Sequence, residues 1–307
     1  MKIGRLSAPE GAARLGLVTP GGVLDLAAAA TALAARDIPG SMGALMAGGG
    51  AALAAVRALA EAAQQRGEPR WFIALDQADW LTPVEPANCI CGARNFAKHA
   101  NESRASWRVQ GTLDINLEFP SGSIKLPGVL VPHRTPVRRP PDVIELDYEV
   151  EIAAIVGRRI ERVGEARALA AVFGYTVFND LSARDWQRRE MRNQMILIGK
   201  NFPGFAPIGP WILTADEVPD PQQLGLALRV NGQVRQDAST AEMIFGLGEL
   251  VAFWSRAGLR PGDIITSGTP DGVALHHKPD PFEWYLKPGD QVEAEVEGIG
   301  VLETPIV

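Results

Sequence analysis

Cysteine is almost missing from this chain: its 307 residues include two, Cys89 and Cys91. At i and i+2 they point to one face of a strand, and nothing nearby completes a ligand set. Neither a disulfide framework nor a zinc module is expected, and a reduced thiol pair in the cytoplasm is. Basic residues are outnumbered as well. Lys and Arg total 30 against 36 Asp and Glu, a formal charge of −6. That balance argues against nucleic acid as a partner and against attraction to an anionic membrane surface. The opening Met1-Lys2-Ile3-Gly4-Arg5 lacks the charged, apolar and small-residue regions of a signal peptide. Long apolar runs are scarce. The uncharged stretch from Ile38 to Val56 holds Pro39 and Gly48-Gly49-Gly50 and is rich in alanine rather than leucine. A membrane span needs roughly 20 strongly apolar residues, so this stretch reads as a loop followed by a helix. Finally, βαβ alternation is absent, which excludes a doubly wound parallel sheet.

What is present is an ordinary globular composition, 46% apolar and 21% charged. The first 84 residues read as a small α/β domain. Lys2–Leu6 and Gly16–Leu24 form strands around a Thr19-Pro20-Gly21-Gly22 turn, and Leu26–Ala35 and Ala51–Gln65 have helical spacing. Near Pro83–Pro86 alanine thins out while proline and β-branched residues rise, marking the start of a second domain over 85–307. There Asp147–Val156, Phe173–Asn179 and Leu226–Asn231 read as strands, Glu165–Ala171 and Met243–Arg256 as helices. Ser182, with Asp185 three residues on, reads as the capping box of another helix. The predicted class is α+β with a mostly antiparallel, rolled sheet.

The most informative segment is Asp147-Tyr148-Glu149-Val150-Glu151-Ile152. Alternation puts the three acids on one face of a strand that continues into apolar residues on both faces. Carboxylates about 6.6 Å apart repel by roughly 2.5 kcal/mol at an effective dielectric of ~20. A buried strand bears that only with compensating cations, either Lys and Arg or a metal. Asp180, at the end of the strand Gly174–Asn179, is placed to join Glu149 and Glu151. Three carboxylates without His or Cys make a hard, all-oxygen set suited to Mg²⁺, Mn²⁺ or Ca²⁺. On spacing alone, a solvated acidic edge with an unrelated capping Asp remains the alternative.

Several segments together resemble the fumarylacetoacetate hydrolase (FAH) family. They are Leu146–Gly157, Gly174–Asp185, Gly199-Lys200-Asn201-Phe202, Gly209-Pro210-Trp211, Val230-Asn231-Gly232, Pro261-Gly262-Asp263 and Ser267-Gly268-Thr269-Pro270. Upstream, Asn95–Glu102 is similar to the family's Asn-Tyr-x-x-His-x-x-Glu segment, with Phe96 in place of Tyr. The match spans about residues 85 to 307. Each motif is common by itself; their order and spacing are specific.

The resemblance implies a mixed β-sandwich roll, a smaller variable N-terminal domain, and a homodimer. It implies a divalent cation, Mg²⁺ in most members and Mn²⁺ or Ca²⁺ in some, on Glu149, Glu151 and Asp180. It implies a small 2-oxo acid substrate, often a 2,4-dioxo acid whose carbon–carbon bond is cleaved. His99 and Glu102, three apart and so on one face of a helix, match a water-activating dyad on a lid. Lys200, with no acidic neighbour in sequence, matches the lysine that stabilises developing negative charge. Arg184 and Gln187 match substrate contacts, and a bidentate Arg is a natural reader of a carboxylate. Thr269 would add a hydroxyl and a backbone N–H. Phe205, Trp186 and Trp211 hint at an apolar substituent, and the pocket's far wall is expected from the N-terminal domain, the Gln110–Pro141 connection and Phe202–Ala206. His133, His276 and His277 receive no role. The expected reaction is hydrolysis of an acylpyruvate-like compound. Decarboxylation or isomerisation of 2-oxo diacids is the alternative within the family, and a silent metal-binding dimer the one outside it.

Overall fold

The computed structural model describes residues 1–8, 11–102 and 117–307. Strand Lys2–Leu6 pairs antiparallel with Arg14–Thr19, which turns into Gly22–Asp25, the two-strand unit expected around Pro20-Gly21. Asp25 ends that hairpin and caps helix Leu26–Ala32, its carboxylate accepting from the backbone N–H groups of Ala27 and Ala28 at 3.0 and 3.1 Å. The second helix, Met42–Arg66, begins nine residues before the alanine periodicity suggested. Ser41 caps it, and Gly49, at φ 54° and ψ −139°, kinks it within the Gly48-Gly49-Gly50 run that reads as loop. By length and composition this helix is apolar enough to cross a membrane. In the fold it buries Leu45, Val56, Leu59 and Ala63 against the sheet.

Among the described residues, eleven strands form one sheet. The N-terminal strands join it directly, because Lys2–Leu6 pairs antiparallel with Ala206–Thr214. That strand pairs with Val172–Asn179, which pairs with Val150–Val156, then Ile264–Thr266, Cys89–Ala93 and Ser121–Lys125 at the edge. Most pairings are antiparallel, as predicted. Ile264–Thr266 with Cys89–Ala93 and Ala206–Thr214 with Leu130–Pro132 are parallel. A second sheet of four strands, Gly225–Val230, Gln233–Ser239, Gln291–Val296 and Gly300–Pro305, packs on one face of the first, and the Met42–Arg66 helix on the other. The central strand Val150–Val156 therefore feeds two cores. Val150, Ile152 and Ala154 face the second sheet, while Ala153 and Ile155 face the helical layer beside Cys89 and Cys91. Both thiols are free and fully buried.

Two local expectations are corrected. The Asp147–Val156 strand is interrupted at Tyr148-Glu149, and Leu146–Asp147 pairs separately with Ser182–Ala183. The Ser182–Asp185 capping box does not form. Ser182 donates to the Asp180 carbonyl, and helix Arg184–Met191 starts without a side-chain cap. Asp185 instead accepts from the backbone N–H groups of Ile144 and Trp186. Competition for short polar side chains by nearby backbone groups is the reason.

His133 closes the C-terminal strand, its Nδ1 accepting from the Glu303 N–H at 3.1 Å. That bond requires an unprotonated nitrogen, and burial lowers the imidazole pKa to about 4, with Glu303 opposing the shift and Arg134 assisting it. Between the ordinary histidine value of ~6.5 and that value, the unfolded chain binds a proton that the folded chain refuses. Stability therefore falls as pH drops through this window. In urea melts at pH 7.5 and 5, His133→Gln should show a shallower loss than wild type. Equal losses would mean His133 is already solvated.

Candidate active site

The central strand delivers Glu151 to the sheet interior, and the interruption just before it lets Glu149 turn toward the same point. The neighbouring strand Val172–Asn179 runs antiparallel and ends at Asp180, whose N–H donates to the Glu149 carbonyl at 2.9 Å. One oxygen from each of Glu149, Glu151 and Asp180 can be chosen so that all three lie within 4.8 Å of one another. All three residues are buried. Asp147, predicted on the same face, is carried away by the interruption and does not join them.

Cations converge on these acids from outside the strand. Lys200 Nζ lies 2.6 Å from both Glu149 Oε2 and Asp180 Oδ2. Arg184 reaches Glu149 Oε1 at 2.5 Å and Asp147 Oδ2 at 2.7 Å. Lys125, fully buried at the sheet edge, lies 2.7 Å from Asp180 Oδ1. Burial alone would raise the Glu149 carboxyl, but Lys200 and Arg184 outweigh it and hold the pKa well below the usual carboxylate range. The same attraction from Asp180 and Glu149 overcomes burial of Lys200 and keeps its ammonium charged. So the lysine that has no acidic neighbour in sequence has two in space.

Glu151 is different. Its Oε2 accepts from the Thr266 hydroxyl and, at 3.1 Å, from the Gly268 N–H, while Oε1 is buried with no hydrogen-bond partner. Burial, with Asp180 and the Cys91 thiol nearby, pushes its pKa well up. An orphaned carboxylate oxygen facing two further carboxylates fits a hard divalent cation, which would be held by Glu149, Glu151 and Asp180. Gly268, at φ 79°, adopts the left-handed backbone with which its N–H reaches Glu151.

The acids floor a cleft of about 510 Å³ lined by His99, Glu149, Arg184, Gln187, Lys200 and Thr269, among others. Six of the nine residues singled out in the sequence thus share one wall, with Glu151 and Asp180 behind Glu149. Gln187 Oε1 accepts from Arg184 at 3.0 Å. Three of the five guanidinium N–H groups are then engaged, leaving two for a ligand. Thr269 spends its hydroxyl within the protein, donating to the Val150 carbonyl and accepting from Gln236. His99 is buried on the helical run 97–102, and burial lowers its pKa to about 3, with Glu149 opposing and His276, Arg184 and Lys200 assisting. Its Nδ1 has no hydrogen-bond partner. A carboxylate oxygen of Glu102 lies within 4.8 Å of one of the His99 ring nitrogens.

The far wall meets expectation only in part. No described residue of the first 84 lines the cleft, and neither do Trp186, Phe205 or Trp211. Phe205 is core, and Trp211 packs edge-on against Trp80. The apolar surface comes from Leu117 and Phe119, on the expected Gln110–Pro141 connection, and from Met191, Met195 and Leu275. Of the Gln110–Pro141 connection, residues 110–116 lie outside the described residues.

Two supporting residues, Lys125 and Glu190, escaped sequence reasoning, and a third, Asp147, serves in a way it did not foresee. Lys125 Nζ donates to the carbonyls of Leu181, Lys200 and Phe205 at 2.8, 2.5 and 2.6 Å, tying Asp180's segment to that of Lys200. Glu190 accepts from the N–H groups of Leu197, Ile198 and Gly199 and shapes the turn before Lys200. That turn approaches the Arg184–Met191 helix so closely that a Cβ on Gly199 would sit 2.7 Å from Gln187 Cγ. Asp147 accepts from Arg184 and from the N–H groups of Ala274 and Leu275. The signal for Lys125 was a charge in an edge strand between Ile124 and Leu126, which reads equally well as solvated.

Comparison with known proteins places these residues in context. The family model described as Fumarylacetoacetate (FAA) hydrolase C-terminal matches residues 88–307. A mitochondrial oxaloacetate tautomerase of Bos taurus is 37% identical over 292 residues, 94% of this chain and 84% of that protein. The maleylpyruvate hydrolase of Sphingobium sp. SYK-6 superimposes with a TM-score of 0.75 at 27% identity, covering 100% of this chain and 99% of the other. The 5-carboxymethyl-2-hydroxymuconate delta-isomerase of Mycobacterium smegmatis does so at 0.71 and 27%, covering 100% and 98%.

Two outcomes are expected from the site's electrostatics. Millimolar Mg²⁺ should raise the melting temperature of the protein, since a ligand held by the folded state alone stabilises it. Glu151→Gln should melt with little response to Mg²⁺; an undiminished shift in that variant would remove Glu151 from the ligand set. Lys125→Met strands Asp180 Oδ1 and three carbonyls, and should cost about 3–5 kcal/mol in urea unfolding. A loss under ~1 kcal/mol would mean that solvent replaces the ammonium.

Proposed function

The chain belongs to the fumarylacetoacetate hydrolase family, and from that premise we propose that it is a metal-dependent tautomerase or isomerase of a small 2-oxo dicarboxylic acid of the oxaloacetate type. The observation that carries this reading is the state of His99. It is a neutral imidazole in the cleft beside Arg184 and Lys200, with an unpartnered Nδ1 available to exchange a proton with a bound substrate. Moving a proton between carbon and oxygen needs only the imidazole. Similarity to the bovine oxaloacetate tautomerase over most of both chains supports the same reading.

The residues divide the work as follows. Arg184 binds a substrate carboxylate through its two unspent N–H groups, with the guanidinium plane fixed by Asp147, Glu149 and Gln187. The Gln187 side-chain amide is placed to donate to a second oxygen. His99 takes the proton from the carbon next to the keto group; returned to the resulting enolate oxygen, that proton completes the enol, and the reverse sequence restores the ketone. Lys200 places a permanent positive charge beside the oxygen on which negative charge develops. Glu149, Glu151 and Asp180 would hold a divalent cation, which would supply Lewis-acid stabilisation of that charge. The apolar side chains at the cleft mouth limit water around the enolate.

Hydrolysis of a carbon–carbon bond is the second reading. It is favoured by the placement of Glu102 within 4.8 Å of His99 and by similarity to the maleylpyruvate hydrolase. It requires the His99–Glu102 pair to activate a water for attack on the substrate carbonyl.

The test follows enol loss from oxaloacetate in the ultraviolet with Mg²⁺ present, beside pyruvate release from an acylpyruvate and carbon dioxide release from oxaloacetate. Ketonisation faster than in buffer is expected, reduced about 10²-fold or more in His99→Asn. Pyruvate release without any acceleration of ketonisation would overturn the tautomerase reading in favour of the hydrolase.

A further inference from the structure

His276 received no role in the sequence, yet the fold sets its ring 5.5 Å from that of His99, at the rim of the same cleft. His99, Glu102 and His276 each offer a ligand atom, and the three atoms lie within 4.8 Å of one another. Two come from one face of the helical run 97–102, three residues apart. The third comes from the turn Ala274–His276, which Asp147 pins through the N–H groups of Ala274 and Leu275 at 2.7 and 3.1 Å. His99 is only 7% exposed, and its Nδ1 is buried without a partner. Burial keeps both imidazoles neutral at neutral pH, the form that binds metal.

From this arrangement we propose a second cation site, made of His99, Glu102 and His276, that takes a borderline transition metal of the Zn²⁺ class. Two imidazoles and one carboxylate are the donor set such ions select, whereas the all-oxygen set of Glu149, Glu151 and Asp180 selects Mg²⁺, Mn²⁺ or Ca²⁺. The two sites therefore sort cations by hardness within one cleft. Ligands of a tetrahedral zinc stand about 3.4 Å apart, so the side chains close by up to roughly 1.4 Å around the ion. Binding does not depend on which reaction the cleft performs. Its consequence does: an ion on the His99 ring takes the lone pair that accepts the substrate's proton, so zinc acts as an inhibitor of the Mg²⁺-loaded enzyme.

The experiment titrates Zn²⁺ into the full chain in excess Mg²⁺ against a chromophoric chelator, and records Cu²⁺ electron paramagnetic resonance for nitrogen coupling. One high-affinity Zn²⁺ equivalent is expected. It should weaken about tenfold or more in His276→Gln and in Glu102→Gln, and persist in Glu151→Gln. Cu²⁺ should show two coupled imidazole nitrogens in wild type and one in His276→Gln. Melting curves establish that each variant is folded, and His276→Asn replaces any that is not. Unchanged zinc affinity in the His276 variants, or its loss only in Glu151→Gln, overturns the second site. Loss of tautomerase activity in wild type without added zinc leaves these binding results intact and counts against the proposed reaction alone.

Discussion

Four buried carboxylates and three buried cations, brought to the end of one central strand, are the constraint from which the site follows. Asp147, Glu149 and Asp180 each have a lysine or arginine within ion-pair distance, while Glu151 is met by a hydroxyl and an N–H. Low dielectric makes every one of these pairings strong and every omission costly. The protein thus spends its own cations on three acids and leaves Oε1 of the fourth without a partner among the described residues.

The surrounding architecture serves that balance. Two cores flank the central strand, so its odd and even residues are both dry, and the charged end cannot drift toward solvent. Arg184 opens a helix directly after the short strand Ser182–Ala183, which pairs with Asp147's own segment, and this pairing sets the guanidinium plane. Lys125 works differently. As a fully buried ammonium with three carbonyl acceptors, it is a fixed point at which three chain segments meet. Such a residue binds nothing from outside, yet the positions of Asp180 and Lys200 both depend on it.

Much of this was legible in the sequence, because the key spacings are local. Period-two alternation through Glu149 and Glu151, ending beside apolar Ile152–Val156, already announced buried like charges that required compensation. Hairpins such as Gly225–Val230 with Gln233–Ser239 follow from Asn231-Gly232, since that pair tolerates positive φ. What was not legible depends on distance along the chain. Lys125 gains its meaning from carbonyls 56 to 80 residues away. His276 gains its meaning from a residue far upstream, and the acids around Lys200 lie 20 and 51 positions off. The capping box at Ser182 misled for a related reason: its pattern is local, but strand pairing with Asp147 claimed the residue first.

The pinning of Gly268 and of the Ala274–His276 turn onto the Glu149 strand has a consequence for biosynthesis. Glu151 receives the Gly268 N–H from 117 residues downstream, and Asp147 receives that of Ala274 from 127 downstream. High contact order of this kind slows assembly. During translation, the acidic strand emerges long before the segment that orders it, and for that interval the growing chain carries exposed carboxylates with no cleft. The cleft therefore cannot be complete until residue 276 has left the ribosome.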